Sequence, residues 1–122
     1  MTEEKNLESI LEYLIDSIPG AQSAAIISIE GLPIASVLPP HVDETKNAAM
    51  IAAILSLAEL TTQEFKKGFF DQVFIRGQNG YVFAMMVGQS AVLSFSTAKH
   101  INLGLIFQEA SRTCEKIVKY LI

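Results

Sequence analysis

The chain has a single cysteine, Cys114, in 122 residues. That excludes an internal disulfide and any zinc site built from cysteines alone. Basic excess is also missing: 9 lysines and arginines face 13 acidic side chains, for a formal charge of −4. Nucleic-acid binding therefore has no electrostatic footing. No apolar run approaches the ~20 residues that a bilayer-spanning helix needs, so direct membrane insertion is not expected. The first residues, MTEEKN, are acidic and polar, the opposite of a secretory or mitochondrial leader. The GxxxxGK[ST] pattern is absent, so no nucleotide is expected on a phosphate loop. His41 and His100 have no carboxylate at metal-ligand spacing. Cys114 falls on an apolar helix face, where a thiol is a packing group and not a nucleophile. The expectation is a soluble, cytoplasmic chain without metal, cofactor or catalytic constellation.

What the chain does have is apolar residues, which make up 50% of it. Its length suits one compact domain spanning residues 1–122, burying roughly two-thirds of its unfolded surface. Leu7, Ile10, Leu11, Leu14, Ile15 and Ile18 follow the spacing of one helical face. Thr2 is placed to cap that helix, with Glu3 and Glu4 in its first turn, and Pro19-Gly20 ends it. Glu4, Glu8, Glu12 and Asp16 form an acidic stripe, which reads as a solvated face or a meeting place for a basic partner.

Strands are expected at 23–29 and 32–38, joined by a tight hairpin at Glu30-Gly31. The first is apolar on both faces, so both faces of its sheet should be covered. Pro33 cannot donate to a ladder, which sends the second strand to an edge. After Pro39-Pro40, Asp43 can cap a helix over 43–67, with Lys66 and Lys67 in its last turn and Gly68 left-handed beyond. Three further strands follow at 72–76, 81–87 and 90–96, with hairpin turns at 77–80 and 88–89. A last helix starts near Asn102 and carries Leu103, Ile106, Phe107, Ala110, Cys114, Ile117, Val118 and Leu121 on one face.

The middle helix is the most informative segment. Its run AAMIAAILSLA, residues 48–58, has almost no polar face, and such a helix must be covered on more than one side. At ~100° per residue, Met50, Ile51, Ile54, Leu55, Leu57 and Phe65 share one arc. Ala48, Ala49, Ala52, Ala53 and Ser56 occupy the next. The bulky arc is expected on the sheet. The small arc is either a surface of good helix formers or a place where a second helix approaches closely, with Met50, Leu57 and Leu60 at its border adding to an exposed apolar patch. Strand 72–76 contains Val73, Phe74 and Ile75 and nothing that blunts an edge. It can pair with a copy of itself across a two-fold axis, unless a loop covers it.

The segments IPGAQSAAIISIEGLPIAS (18–36), LSLAEL, GQNGYVF and NLGLIF, in this order and spacing, resemble the roadblock/dynein light chain (Roadblock/LC7) family over nearly the whole chain. The resemblance implies an α/β, profilin-like fold in the order α-β-β-α-β-β-β-α. Its five-stranded antiparallel sheet carries one long helix on one face and the two terminal helices on the other. It also implies dimers, of this chain with itself or with a related roadblock chain, that join sheets edge to edge and pair their middle helices. Its members scaffold or regulate small Ras-like GTPases, or serve as light-chain subunits of motor and trafficking complexes. The residues expected at the helix pair are Ala49, Ala52, Ala53, Ser56, Leu57 and Leu60, and those at the sheet edge are Val73, Phe74 and Ile75. Two other functions stay open. One is a purely structural adaptor. The other is a small-molecule sensor, for which Ser28, Ser36, Ser94 and Ser96 are the interior polar candidates.

Overall fold

The computed structural model describes residues 3–121. Helix α1 (Glu3–Ser17) is followed by strands β1 (Ala21–Ser28) and β2 (Pro33–Val37), then the long helix α2 (Glu44–Glu64). Strands β3 (Gln72–Gly77), β4 (Gly80–Val87) and β5 (Ala91–Thr97) lead into helix α3 (Leu103–Leu121). All strand pairs are antiparallel, in the spatial order β2-β1-β5-β4-β3. The fold is the profilin-like one expected from the sequence, and Pro33 does lie on an edge strand.

Residue alternation along the strands separates two cores. On one face Ala24, Ile26, Phe83, Met85, Leu93 and Phe95 pack against Leu11 and Leu14 of α1 and Ile106, Ala110 and Ile117 of α3. Phe95 and Phe83 stack at 4.9 Å between centroids, Phe83 and Phe74 follow at 5.8 Å, and Phe107 meets Phe83 edge-on at 6.1 Å. This aromatic row runs from the buried centre of the sheet to its β3 edge. Each such pair adds ~0.5–1.5 kcal/mol beyond the area it buries.

On the other face Ala25, Ile27, Ala84 and Val92 pack against Ala48, Ile51 and Leu55 of α2 and against Phe70. Ala25, Ser94 and Ala84 are register partners on adjacent strands, and this row of small residues lets the helix sit close to the sheet. Tight turns complete the framework. At the β3–β4 turn, a Cβ on Gly80 would overlap the Thr97 carbonyl oxygen, so only glycine fits.

Several expectations need correction. Helix α2 ends at Glu64, not near Lys67: Phe65 is its C-cap and Lys66 adopts φ +56°. The lysines therefore follow the helix, and the left-handed turn begins at Lys66, two residues before Gly68. The β4–β5 turn takes in Ser90, because Val87 pairs with Ala91. Leu103 is exposed: it opens α3 beside the Asn102 cap, whose Oδ1 accepts the Leu105 N–H at 3.0 Å. Thr2, expected as the α1 cap, lies outside the described residues.

The largest correction concerns which side of α2 faces the sheet. Met50, Leu57 and Phe65, placed with the bulky arc, are exposed, and Ala48, placed with the small arc, is buried. Part of the reason lies at the β1–β2 hairpin, whose Gly31 (φ +94°) closes on Ala48, Ala49 and Ala52. The helix is thus turned so that Ala48 joins Ile51 and Leu55 on the sheet and Met50 and Leu57 face outward, while Ala49, Ala53 and Ser56 stay exposed.

Candidate partner-binding surface

Asp43 starts α2 by accepting the Lys46 N–H at 2.7 Å, the bond of an N-cap. From there the helix crosses the sheet with Ala48, Ile51 and Leu55 downward. Gly31 lies along the flank that holds Ala49 and Ala52. On the flank away from the hairpin stand Met50 and Leu57, exposed to 49% and 66% of their area. Ile54, one turn on from Met50 and rotated toward the sheet, is half-buried.

The sheet contributes to the same side of the molecule. Val73 pairs with Ala84, and Ile75 with Val82, across β3 and β4. Val73 and Ala84 belong to the α2-side core, so Ile75 and Val82, two residues along, face the same way. Both are exposed, Ile75 to 45%. Phe74 points to the opposite face as the open end of the aromatic row and is exposed as well. Strand β3 has β4 on one side and is the last in the sheet order.

The nine residues expected at an interface thus divide by position. Leu57, Leu60, Ala49, Ala53, Ser56, Phe74 and Ile75 are exposed; Ala52 is half-buried beside the hairpin; Val73 is half-buried against the α2-side core. Met50, expected at the border of the small arc, is exposed beside them; Val82 is the residue that spacing did not bring to this surface. The orientation of α2 was legible in part: side-chain size put Ile51 and Leu55 on the sheet correctly, but not Ala48.

A groove of about 1070 Å³ runs beside the C-terminal half of α2, lined among others by Ile29, Ser56, Leu60, Phe69 and Met86. At its floor, Glu59 holds the connection to β3 in place. Its carboxylate accepts the Phe70 N–H at 2.7 Å and the Gln63 side-chain amide at 2.9 Å. The candidate sensor serines do not converge on this groove. Ser94 is buried in the small-residue row, Ser96 pairs with Ser23, and Ser28 accepts the Leu32 N–H. Ser36 lies on the β2 edge strand.

Cys114 sits on α3 at the margin of the aromatic core. Burial, reinforced by the carboxylates of Asp71 and Glu115, pushes its thiol up to about 11. At neutral pH it is therefore a protonated, weakly nucleophilic group. Both histidines are exposed. Among the described residues no three His, Cys, Asp or Glu side chains gather as a metal site, and no helix is long and apolar enough to cross a membrane.

The sequence model of the Roadblock/LC7 domain matches residues 9–95. Uncharacterized protein MJ1340 of Methanocaldococcus jannaschii is 33% identical over 103 residues, covering 84% of this chain and 90% of that protein. MJ0714 of the same organism is 33% identical over 115 residues, covering 88% of this chain and 97% of the relative. Among solved structures, Myxococcus xanthus MglB superposes with a TM-score of 0.90 at 17% identity, over 99% of this chain and 91% of that one. A Roadblock/LC7 domain from Streptomyces avermitilis gives 0.87 at 20% identity, over 93% and 96%. Acanthamoeba castellanii profilin II gives 0.65 at 14% identity, over 99% and 100%, which shows the shared fold. The arrangement of helices around the sheet and the match over residues 9–95 agree: this chain belongs to the Roadblock/LC7 domain family.

Proposed function

We propose that this chain is a cytoplasmic roadblock adaptor that works as a dimer and offers its paired helices to a small Ras-like GTPase. The observation that carries the reading is the joint exposure of Met50 and Leu57 on α2 with Ile75 and Val82 on the sheet. Large apolar side chains exposed together on one side of a molecule mark an interaction site. It adjoins an edge strand with no proline to prevent further pairing. Joining two β3 strands would continue the sheet and bring two α2 helices side by side. In that arrangement Met50 and Leu57 face the partner helix, and Ala53, between them on the outer ridge, allows close approach. Ala49, Ser56 and Leu60 remain on the outward flank for a third chain.

The action on a GTPase is surface complementarity, not catalysis. A platform that binds one nucleotide state more tightly than the other shifts the cycle by that difference and no more. The solved MglB with a tetrameric arrangement supports self-association as a property available to this fold. The experiment is to add the purified protein to small GTPases of the source cell and follow nucleotide exchange and hydrolysis. A change in either rate that Leu57→Glu abolishes supports regulation. Capture of a GTPase with both rates unchanged supports the structural-adaptor reading instead. No capture in either nucleotide state removes the GTPase from the account.

A further inference from the structure

Between α2 and β3 the chain reads Phe65-Lys66-Lys67-Gly68-Phe69-Phe70. The dimer and GTPase reading makes no use of this segment. Phe69 is exposed to 91% of its area and Phe65 to 69%, while Phe70 is buried. A Cβ built on Gly68 meets nothing within 4 Å, so the loop tip stands clear of the protein body.

The loop is held in this shape. Lys66 and Lys67 donate their backbone N–H groups to the carbonyls of Gln63 and Thr62, at 3.0 and 2.7 Å. At the other end the Phe70 N–H is fixed by Glu59. Two exposed aromatic residues thus flank two lysines along the chain. Lys66 and Lys67 are themselves exposed. The flanking acids are Glu64 and Asp71, which lie outside the pair of rings.

We propose that this loop is a wedge for the surface of an anionic lipid bilayer. Exposed aromatic rings settle at the level of the headgroups, and lysines beside them are drawn to the negative surface potential. The occupant follows from this pairing of apolar and cationic side chains, because a purely apolar protein groove would leave both ammonium groups without a counter-charge. The contact is peripheral and one side chain deep. It requires no spanning segment and stands whether or not a GTPase binds.

The chain contains no tryptophan, so Phe69→Trp provides a single emission reporter at the wedge. With vesicles of phosphatidylcholine mixed with phosphatidylglycerol, its emission should shift to the blue and the protein should sediment with the lipid. Pure phosphatidylcholine vesicles should give neither effect. Reversing both charges (Lys66→Glu with Lys67→Glu) should weaken binding by roughly 25-fold or more, about fivefold for each lysine lost. Phe65→Ser with Phe69→Ser should abolish co-sedimentation while leaving thermal stability intact. The proposal is overturned if the anionic vesicles produce no shift and no co-sedimentation. It is equally overturned if charge reversal leaves binding unchanged, or if the reporter is already blue-shifted without lipid, which would mean that protein covers the loop.

Discussion

Gly31 and Ala52 meet across the gap between the β1–β2 hairpin and α2: a Cβ on Gly31 would lie 3.3 Å from the Ala52 Cβ. Neither residue has room to grow. Ala52→Leu forces the hairpin off the helix and should cost ~1–3 kcal/mol, the usual range for overpacking. Ala53→Leu, one residue on and exposed, should change monomer stability by less than about 0.5 kcal/mol. Thermal unfolding of the two variants side by side checks the assignment. Equal midpoints would show that the hairpin does not rest on Ala52.

Phe83 stands at the centre of the aromatic row, touching Phe74, Phe95, Tyr81 and Phe107. Phe83→Ala should destabilise by ~3–5 kcal/mol. Phe74→Ala, at the open end of the same row, should cost a monomer distinctly less. Chemical denaturation at low protein concentration separates the two effects from any loss of association.

The Cys114 thiol, pushed up to about 11 from an ordinary 9.0, should alkylate slowly. At pH 8 its thiolate fraction is roughly 100-fold below that of an unfolded thiol, since each pKa unit is a factor of ten. Iodoacetamide labelling of native and urea-unfolded protein should show this ratio. Stability follows the same linkage. Between pH 9 and 11 the unfolded chain loses its thiol proton first, so this group's contribution is complete below 9 and falls as pH rises through 11. Cys114→Ala should flatten that part of the stability profile.

Asp43 holds the first turn of α2 through Lys46. Asp43→Ala should lower stability by ~1 kcal/mol, and Asp43→Asn should restore most of it because the amide oxygen still accepts. Thermal unfolding of the pair tests the cap without touching the proposed interface.

Periodicity and turn chemistry made most of this fold legible in the sequence. The stripe from Leu7 to Ile18, the proline in β2, the Asp43 cap and the hairpin glycines each depend on neighbours a few residues away. Helix α2 was harder because its apolar residues run nearly all round it. Side-chain size then placed Ile51 and Leu55 on the sheet correctly but not Met50 and Leu57, since a helix lying on a row of Ala25, Ser94 and Ala84 turns Ala48 downward. That row forms between strands distant in the chain, and local spacing does not reveal it. The end of α2 was placed too late for a related reason. Lys66 adopts a left-handed conformation that its side chain does not favour, held by hydrogen bonds to the helix end and by Glu59 anchoring Phe70.

The exposed face of Met50, Leu57, Ile75 and Val82 matters only if a second copy or a related chain covers it. Sedimentation equilibrium of the purified chain over a range of concentrations tests this most directly, with Ile75→Glu run alongside. The expected result is a dimer for the unmodified chain and a folded monomer for the variant. A chain that stays monomeric at the highest concentration, with no related roadblock chain found to pair with it, would contradict the proposed platform.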